Sequence, residues 1–198
     1  MRKITVLSFI TLDGVMQGPG SPDEDSSNGF KLGGWVAPYG DQDAEVIMQK
    51  QLEPADLLLG RKTFDIWENY WPSHAEHWPG INEVTKYVFS KTVNSTAWNN
   101  VVFLTDIESI RKLKASEGTD LKIWGSSQLV QLLLEHDLID DFWLNIHPVV
   151  LGKGKRLFGD AAVPAAFEII ESKLTSTGVF MVHYKKAGGV KVGKAGPE

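Results

Sequence analysis

The chain has 198 residues, of which 42% are hydrophobic and 23% charged, with a formal net charge of −5 and no cysteine. This length suits one well-buried α/β domain, and the composition is typical of a globular protein. The acidic balance argues against a nucleic-acid partner, because no excess of lysine and arginine exists to neutralise phosphates. The lack of cysteine excludes disulfides, thiolate nucleophiles and zinc–thiolate sites.

The sequence has no run of about 18 apolar residues, the length that a membrane-spanning helix requires. The apolar run at residues 4–10 has the length of a strand, and no small-residue cleavage site follows it. We therefore expect neither a signal peptide nor a membrane partner. The predicted location is cytoplasmic.

Strand-like and helix-like patterns alternate along the chain. Apolar runs predict strands at 4–10, 55–59, 86–89, 101–104, 121–124 and 142–150, and a hairpin at 168–174 and 179–184. Helical spacing predicts helices at 41–52, from about 63 to 71, after a Thr105–Glu108 capping box, and at 129–136. The alternation predicts an α/β domain over 1–186, with a mainly parallel central sheet flanked by helices and a C-terminal antiparallel hairpin. Residues 187–198 are expected to form a flexible tail.

Residues 17–40 form a long segment rich in Gly, Pro, Ser and Asp, with almost no periodicity. A loop of this length in a compact domain is usually functional or mobile. Because Phe30, Trp35 and Tyr39 lie within it, we expect the segment to pack over another part of the molecule.

Four polar turns follow predicted strands, at Asp13-Gly14, 60–63, 90–92 and 125–128. Ligands of parallel α/β sheets bind at the carboxyl ends of the strands, so these turns are expected on one rim. Two of the turns open helices, whose N-termini attract anions, and two carry cations beside hydroxyl groups. Together they predict a phosphate-bearing cofactor, although the 125–128 turn taken alone favours an ordinary helix cap.

The turns, in this order, resemble the dihydrofolate reductase fold. They are most similar to the family that includes the C-terminal reductase domain of the bifunctional riboflavin-biosynthesis deaminase–reductase. The resemblance covers about residues 2–186. It is carried by Thr11-Leu12-Asp13-Gly14, Leu58-Leu59-Gly60-Arg61-Lys62-Thr63-Phe64, Trp124-Gly125-Ser126-Ser127-Gln128-Leu129, Leu138-Ile139-Asp140-Asp141, His147-Pro148-Val149-Val150-Leu151-Gly152-Lys153-Gly154 and Leu157-Phe158.

The resemblance implies NADPH as hydride donor and a small-molecule substrate, either pteridine-like or a ribosylaminopyrimidine. Arg61 and Thr63 would then meet the cofactor phosphates, and Arg61 would favour the 2′-phosphate. For Arg61 the alternative is a surface ion pair. The implied cofactor-binding residues are Gly60, Arg61, Thr63, Ser90, Lys91, Gly125, Ser126, Ser127 and Gln128.

Dihydrofolate reductases place one carboxylate on the helix after the long loop, where it binds the pteridine and promotes its protonation. Asp41, Asp43 and Glu45 occupy that region, and their spacing does not choose among them; Asp43 is the prediction. Asp13 either bonds the substrate or terminates a strand. Trp35 lines the substrate pocket or belongs to the core.

The zinc deaminase half of the bifunctional enzyme needs a His–Glu motif and paired cysteines, which this sequence lacks. We therefore expect a reductase-like domain on its own. The alternative is a catalytically inactive nucleotide-binding or regulatory module on the same fold. A homodimer is also expected, with the 142–150 strand as the contact and Trp143 and His147 on its exposed face.

Overall fold

A computed structural model describes residues 1–159 and 162–196 of the chain. Its centre is an eight-stranded sheet in the order β4-β3-β2-β5-β1-β6-β8-β7. The strands are β1 Ile4–Thr11, β2 Asp56–Gly60, β3 Lys86–Phe89, β4 Val101–Leu104, β5 Leu121–Trp124, β6 Asp141–His147, β7 Ala166–Leu174 and β8 Phe180–Gly188. The helices are α1 Gln42–Gln51, α2 Arg61–Glu68, α3 Ile107–Ala115 and α4 Ser127–Glu135. The helix predicted from about residue 63 to residue 71 ends earlier, at Glu68, and Trp71 lies in a separate 3-10 turn.

β1 to β6 pair in parallel, and β8 and β7 complete the sheet as antiparallel strands. The predicted α/β class, parallel sheet and C-terminal hairpin are therefore confirmed. β8 continues to Gly188, so residues 187 and 188 of the predicted tail belong to a strand. Residues 189–196 contain no helix or strand, and 197–198 lie outside the described residues.

Two apolar layers cover the sheet. On one face, Ile110 of α3 and Leu129 and Leu133 of α4 pack in a cluster with β1, β5 and β6. On the other face, Phe64 of α2 packs with alternate strand residues and several tryptophans, and Met48 of α1 lies against this layer. Full burial of one such side chain contributes about 1.5–3 kcal/mol. The two layers make the sheet the rigid support of the loops at its rim.

Aspartates begin two of the helices. Asp41 caps α1 by accepting a hydrogen bond from the Ala44 N–H at 2.8 Å, and Asp106 caps α3 in the same way through Ser109. The prediction of Thr105 as the cap of α3 was wrong by one residue. A carboxylate is a stronger acceptor than a hydroxyl, so Asp106 takes that position.

The predicted subunit contact through residues 142–150 is wrong in one respect, because the face that carries Trp143 and His147 is buried. β6 lies inside the sheet, between β1 and β8, and both of its edges are paired. Trp143 is 9% exposed and His147 is 3% exposed. A period-two pattern also occurs in strands that are covered on both faces, so the alternation could not show that this face is buried. The homodimer itself stays a prediction.

None of the helices within residues 1–159 and 162–196 is long and apolar enough to cross a bilayer.

Lys86 is a fully buried cation in β3. Its ammonium donates to the carbonyl groups of Ile81 at 3.0 Å and Asn82 at 3.2 Å, and it lies 4.7 Å from the centre of the Trp98 ring. Burial lowers the pKa of Lys86 to about 8 from its ordinary value of 10.5. The folded protein therefore releases this proton at a lower pH than the unfolded chain does.

We predict that the free energy of unfolding rises as the pH increases from about 8 to 10.5, because the unfolded chain alone keeps the Lys86 proton in this range. Lys86→Met removes this contribution, so its free energy of unfolding should rise less steeply with pH. Denaturant unfolding at several pH values measures this slope. The control is Lys153→Met at an exposed lysine, which should keep the slope of the parent protein. Equal slopes for the parent and Lys86→Met would contradict the assignment.

Candidate functional site

A cleft of about 610 Å³ lies at the carboxyl ends of β1, β2 and β5. The turn after β2 and the turn after β5 line it along residues 60–63 and 125–128, as the sequence predicted for a cofactor site. Trp124, Phe9 and Met16 add apolar surface. The cleft therefore combines two polar turns with an apolar floor.

The helices that begin at this cleft, α2 and α4, differ from α1 and α3 at their N-termini. Gly60 precedes α2 and has no side chain, and Ser126 precedes α4 without a capping hydrogen bond from its side chain. Neither helix has an acidic residue in its first turn, whereas α1 and α3 have both an aspartate cap and a further acidic residue. The N–H groups at the starts of α2 and α4 are thus left for an anion in the cleft.

Ser126 joins the two turns. Its hydroxyl oxygen accepts a hydrogen bond from the Gly60 N–H at 3.0 Å and lies 3.0 Å from the Thr63 hydroxyl oxygen. Ser126 and Gly125 both adopt left-handed backbone, with φ of 58° and 61°. Such conformations cost free energy for residues other than glycine. The Ser126 contacts to the neighbouring turn offset that cost and hold both helix starts in one place.

Arg61 lies at the start of α2 and is partly exposed. Its guanidinium donates to the Asp65 carboxylate and to the Thr92 hydroxyl at 3.2 Å, and the Asp65 contact raises the pKa of Arg61. Arg61 therefore lines the cleft and also makes the ion pair that was the alternative to a cofactor role. Ser90 is buried and accepts from the N–H groups of Thr92 and Val93, and Lys91 is exposed; neither lines the cleft.

The 17–40 segment forms another wall of the cleft. The Gln17 amide donates to the backbone oxygens of Asp25 and Ser27, and Lys155 pairs with the Asp25 carboxylate at 2.5 Å. Burial raises the pKa of Glu24, which also lines the cleft. Phe30 and Trp35 are buried in a small cluster beneath the segment, as predicted from its aromatic content.

A second cavity of about 270 Å³, here called the side pocket, lies between α1 and the ends of β1 and β6. Phe9 lines both the cleft and the side pocket, so the two meet at this ring. The side pocket is lined chiefly by apolar groups, with Asn145 and His147 as buried polar residues and Asp41 and Glu45 from the start of α1.

The three candidate carboxylates have different positions. Asp41 lines the side pocket, but its oxygens already accept bonds from Ala44, Ser176 and Thr177, which hold its pKa well below the usual range. Asp43, the predicted catalytic residue, lies outside the side pocket and pairs with Lys173 at 3.1 Å. Glu45 lines the pocket and has no ion pair among the described residues. The structure therefore favours Glu45 over Asp43.

Asp13 and Trp35 line neither cavity. The Asp13 carboxylate accepts from the Thr11 hydroxyl and from the N–H groups of Leu151 and Gly152, which lowers its pKa. It thus connects two loops at the end of β1. Trp35 donates to the Gln17 oxygen at 2.9 Å and packs edge-on against His147, with 5.2 Å between ring centres.

His147 was expected on an exposed strand face as part of a subunit contact, and the structure buries it instead. The ring is buried in the wall of the side pocket and its Nδ1 lies 3.0 Å from the Asn145 oxygen. Burial lowers the pKa of His147, which favours the neutral ring.

Comparisons with known proteins identify the family of this chain. A family model described as the RibD C-terminal domain matches residues 2–181. The chain belongs to this family. This RibD C-terminal domain is 31% identical over 192 residues to the uncharacterized protein YyaP of Bacillus subtilis (strain 168), covering 92% of the chain and 94% of YyaP.

Two solved structures share the fold of this RibD C-terminal domain. Dihydrofolate reductase from Enterococcus faecalis, complexed with NADP(H) and RAB-propyl, has a TM-score of 0.58 and 14% identity over 93% of this chain and 96% of its own. The Thermotoga maritima diaminohydroxyphosphoribosylaminopyrimidine deaminase/5-amino-6-(5-phosphoribosylamino)uracil reductase has a TM-score of 0.62 and 16% identity. That match covers 94% of this chain and 57% of the longer one. The dihydrofolate reductase-like fold is therefore confirmed.

We predict that Ser126→Ala lowers the free energy of unfolding by about 1 kcal/mol, because the Gly60 N–H loses its acceptor. Ser127→Ala is the matched control, since Ser127 begins α4 but its side chain makes none of the described hydrogen bonds; its effect should stay within about 0.5 kcal/mol. Denaturant unfolding of both variants measures the difference. Equal losses of unfolding free energy in the two variants would show that the Ser126 hydroxyl contacts between the turns do not stabilise the fold.

Proposed function

We propose that this RibD C-terminal domain is an NADPH-dependent reductase that transfers a hydride to a pteridine-like or ribosylaminopyrimidine substrate. The observation that carries the proposal is the pair of helix N-termini, of α2 and α4, that open without side-chain caps into one cleft. Two uncapped N-termini held together by Ser126 suit a ligand with several phosphate groups. A dinucleotide is such a ligand.

The residues of the cleft fit NADPH in shape and in charge. A volume of about 610 Å³ lies within the range of pockets for cofactor-sized ligands, roughly 300–1,000 Å³. At Gly125, where φ is 61°, a side chain would be strained, so the backbone stays open to phosphate. The N–H groups at Thr63 and Ser127 would bind the pyrophosphate. Arg61 would bind the 2′-phosphate, with Ser90 and Lys91 in the adjacent turn that Thr92 connects to it.

When bound, NADPH supplies the hydride, and the protein supplies orientation and electrostatics. Phe9 and Trp124, with ring centres 6.0 Å apart, form an apolar surface at this end of the cleft. Because Phe9 also borders the side pocket, a substrate ring there would lie beside the cleft. Glu45 would bind N–H groups of that ring and hold a proton at its carboxylate, the role that the resemblance implied for a residue of this helix.

The comparisons support this proposal at the level of the family. The Enterococcus faecalis relative in fold is complexed with NADP(H), and the Thermotoga maritima enzyme carries a uracil reductase activity in its name. These facts belong to those proteins. For the present chain the cofactor and the substrate class rest on the cleft and the side pocket.

We predict that NADPH binds more tightly than NADH and that raising the salt concentration weakens binding, because the contacts are ionic. Arg61→Ala should weaken NADPH binding by roughly tenfold, about 1.4 kcal/mol, and should affect NADH less, since NADH lacks the 2′-phosphate. Titration calorimetry measures both affinities. Arg111→Ala on α3 removes the same charge away from the cleft and should change neither by more than about twofold. If neither nucleotide binds, the reductase proposal fails.

We predict that Glu45→Gln lowers kcat/KM by roughly a hundredfold, the usual effect of losing a proton-transferring group, while NADPH affinity stays unchanged. The control Asp43→Asn removes the same charge from the same helix, outside the side pocket, and should change kcat/KM by no more than about twofold. Steady-state NADPH oxidation with a dihydropterin measures both. NADPH binding without turnover of any pteridine or ribosylaminopyrimidine would favour the inactive nucleotide-binding module instead.

A further inference from the structure

The side pocket lacks the cations that the cleft contains. Three cations, Arg61, Lys62 and Lys155, line the cleft together with the carboxylates Glu24 and Asp25. The charged residues that line the side pocket are the carboxylates Asp41 and Glu45. No lysine or arginine lines the side pocket in residues 1–159 and 162–196, and none of the four other residues of the chain is a cation. An anionic group would therefore enter the side pocket without a cation to pair with.

The start of α1 beside the side pocket is already capped by a carboxylate. The N-terminus of α1 borders the side pocket, but Asp41 already caps it through the Ala44 N–H. The second oxygen of Asp41 accepts from the Ser176 hydroxyl and the Thr177 N–H, so these donors are engaged too. Because these bonds hold the pKa of Asp41 well below its usual range, the group stays negatively charged. It repels a further anion.

The surrounding chain has the same sign of charge. Residues 17–49, which include the loop and most of α1, contain six carboxylates and a single cation, Lys31. Lys50, in the last turn of α1, is paired with Glu171, and Lys173 is paired with Asp43 of α1. A phosphate needs charge-assisted partners to offset its desolvation, and Lys31, the single cation of residues 17–49, does not line the side pocket.

We infer that the substrate of this chain is a planar heterocycle without a phosphate group, neutral or cationic in its bound form. The inference rests on the proposed function and chooses between the two substrate classes that it leaves open. The size of the side pocket agrees, since about 270 Å³ lies below the roughly 300 Å³ at which pockets for drug-sized ligands begin. Glu45 would bind ring N–H groups, and the apolar wall formed by Phe9, Met48 and Met181 would cover the ring faces.

The test uses a matched pair of compounds, 5-amino-6-(ribosylamino)uracil and its 5′-phosphate, together with a dihydropterin. Calorimetry measures binding of each to the full chain, with NADPH binding measured first. At least tenfold tighter binding of the phosphate-free partner, or binding of the dihydropterin alone, supports the inference. Equal or tighter binding of the 5′-phosphate overturns it, as does failure of every phosphate-free compound to bind. Failure of NADPH to bind is a separate result that removes the proposed function itself.

A charge reversal tests the cause of the selectivity. Glu45→Lys places a cation at the side pocket and should shift the affinity ratio toward the 5′-phosphate by roughly tenfold, about 1.4 kcal/mol. Asp43→Lys makes the same reversal on the same helix outside the pocket and should leave the ratio within about twofold. An unchanged ratio in Glu45→Lys, or equal shifts in the two variants, would overturn the assignment of selectivity to the charge of the side pocket.

Discussion

The capping of the four helices determines where negative charge can bind. At α1 and α3 an aspartate occupies the N-terminus, so the partial positive charge of the helix is already neutralised. At α2 and α4 the N–H groups remain open, and the Ser126 hydroxyl holds the two openings together. One fold thus has two helix N-termini without a side-chain cap at the cleft, and a third at the side pocket that a carboxylate caps. On this difference we base the proposals of a phosphate-bearing cofactor in the cleft and a phosphate-free substrate in the side pocket.

The sheet places these two regions side by side. β1 is central, paired with β5 on one edge and β6 on the other, so residues near its carboxyl end face both the cleft and the side pocket. Phe9 is where they meet. In the proposed function, the hydride donor and acceptor would meet beside this ring, because hydride transfer needs the two in contact. The buried pair of Gln51 and Asn145, whose amides bond reciprocally at 3.0 and 3.1 Å, ties α1 to β6 and so fixes the far wall of the side pocket.

Sequence patterns predicted most elements because their signals are local. The buried runs that became β1 to β5 and the helical spacing of α1 and α4 depend on neighbouring residues alone. The turns at 60–63 and 125–128 were expected at one rim because parallel strands end on the same side of a sheet. The boundaries were less well predicted. α2 ends before Trp71, and α3 is capped by Asp106 rather than Thr105, since small differences in competing contacts decide such positions.

By itself, the sequence determined the α/β class, the order of the strands and helices, and the turns that line the cleft. Only the tertiary structure decided which neighbours each side chain contacts. Asp41, Asp43 and Glu45 lie within one helical turn and the flanking cap, so spacing could not distinguish the residue that caps, the one that pairs with Lys173 and the one that borders the side pocket. His147 was similarly ambiguous, because its burial depends on strands distant in sequence. Side-chain roles at a site are set by such long-range contacts, which a local pattern does not contain.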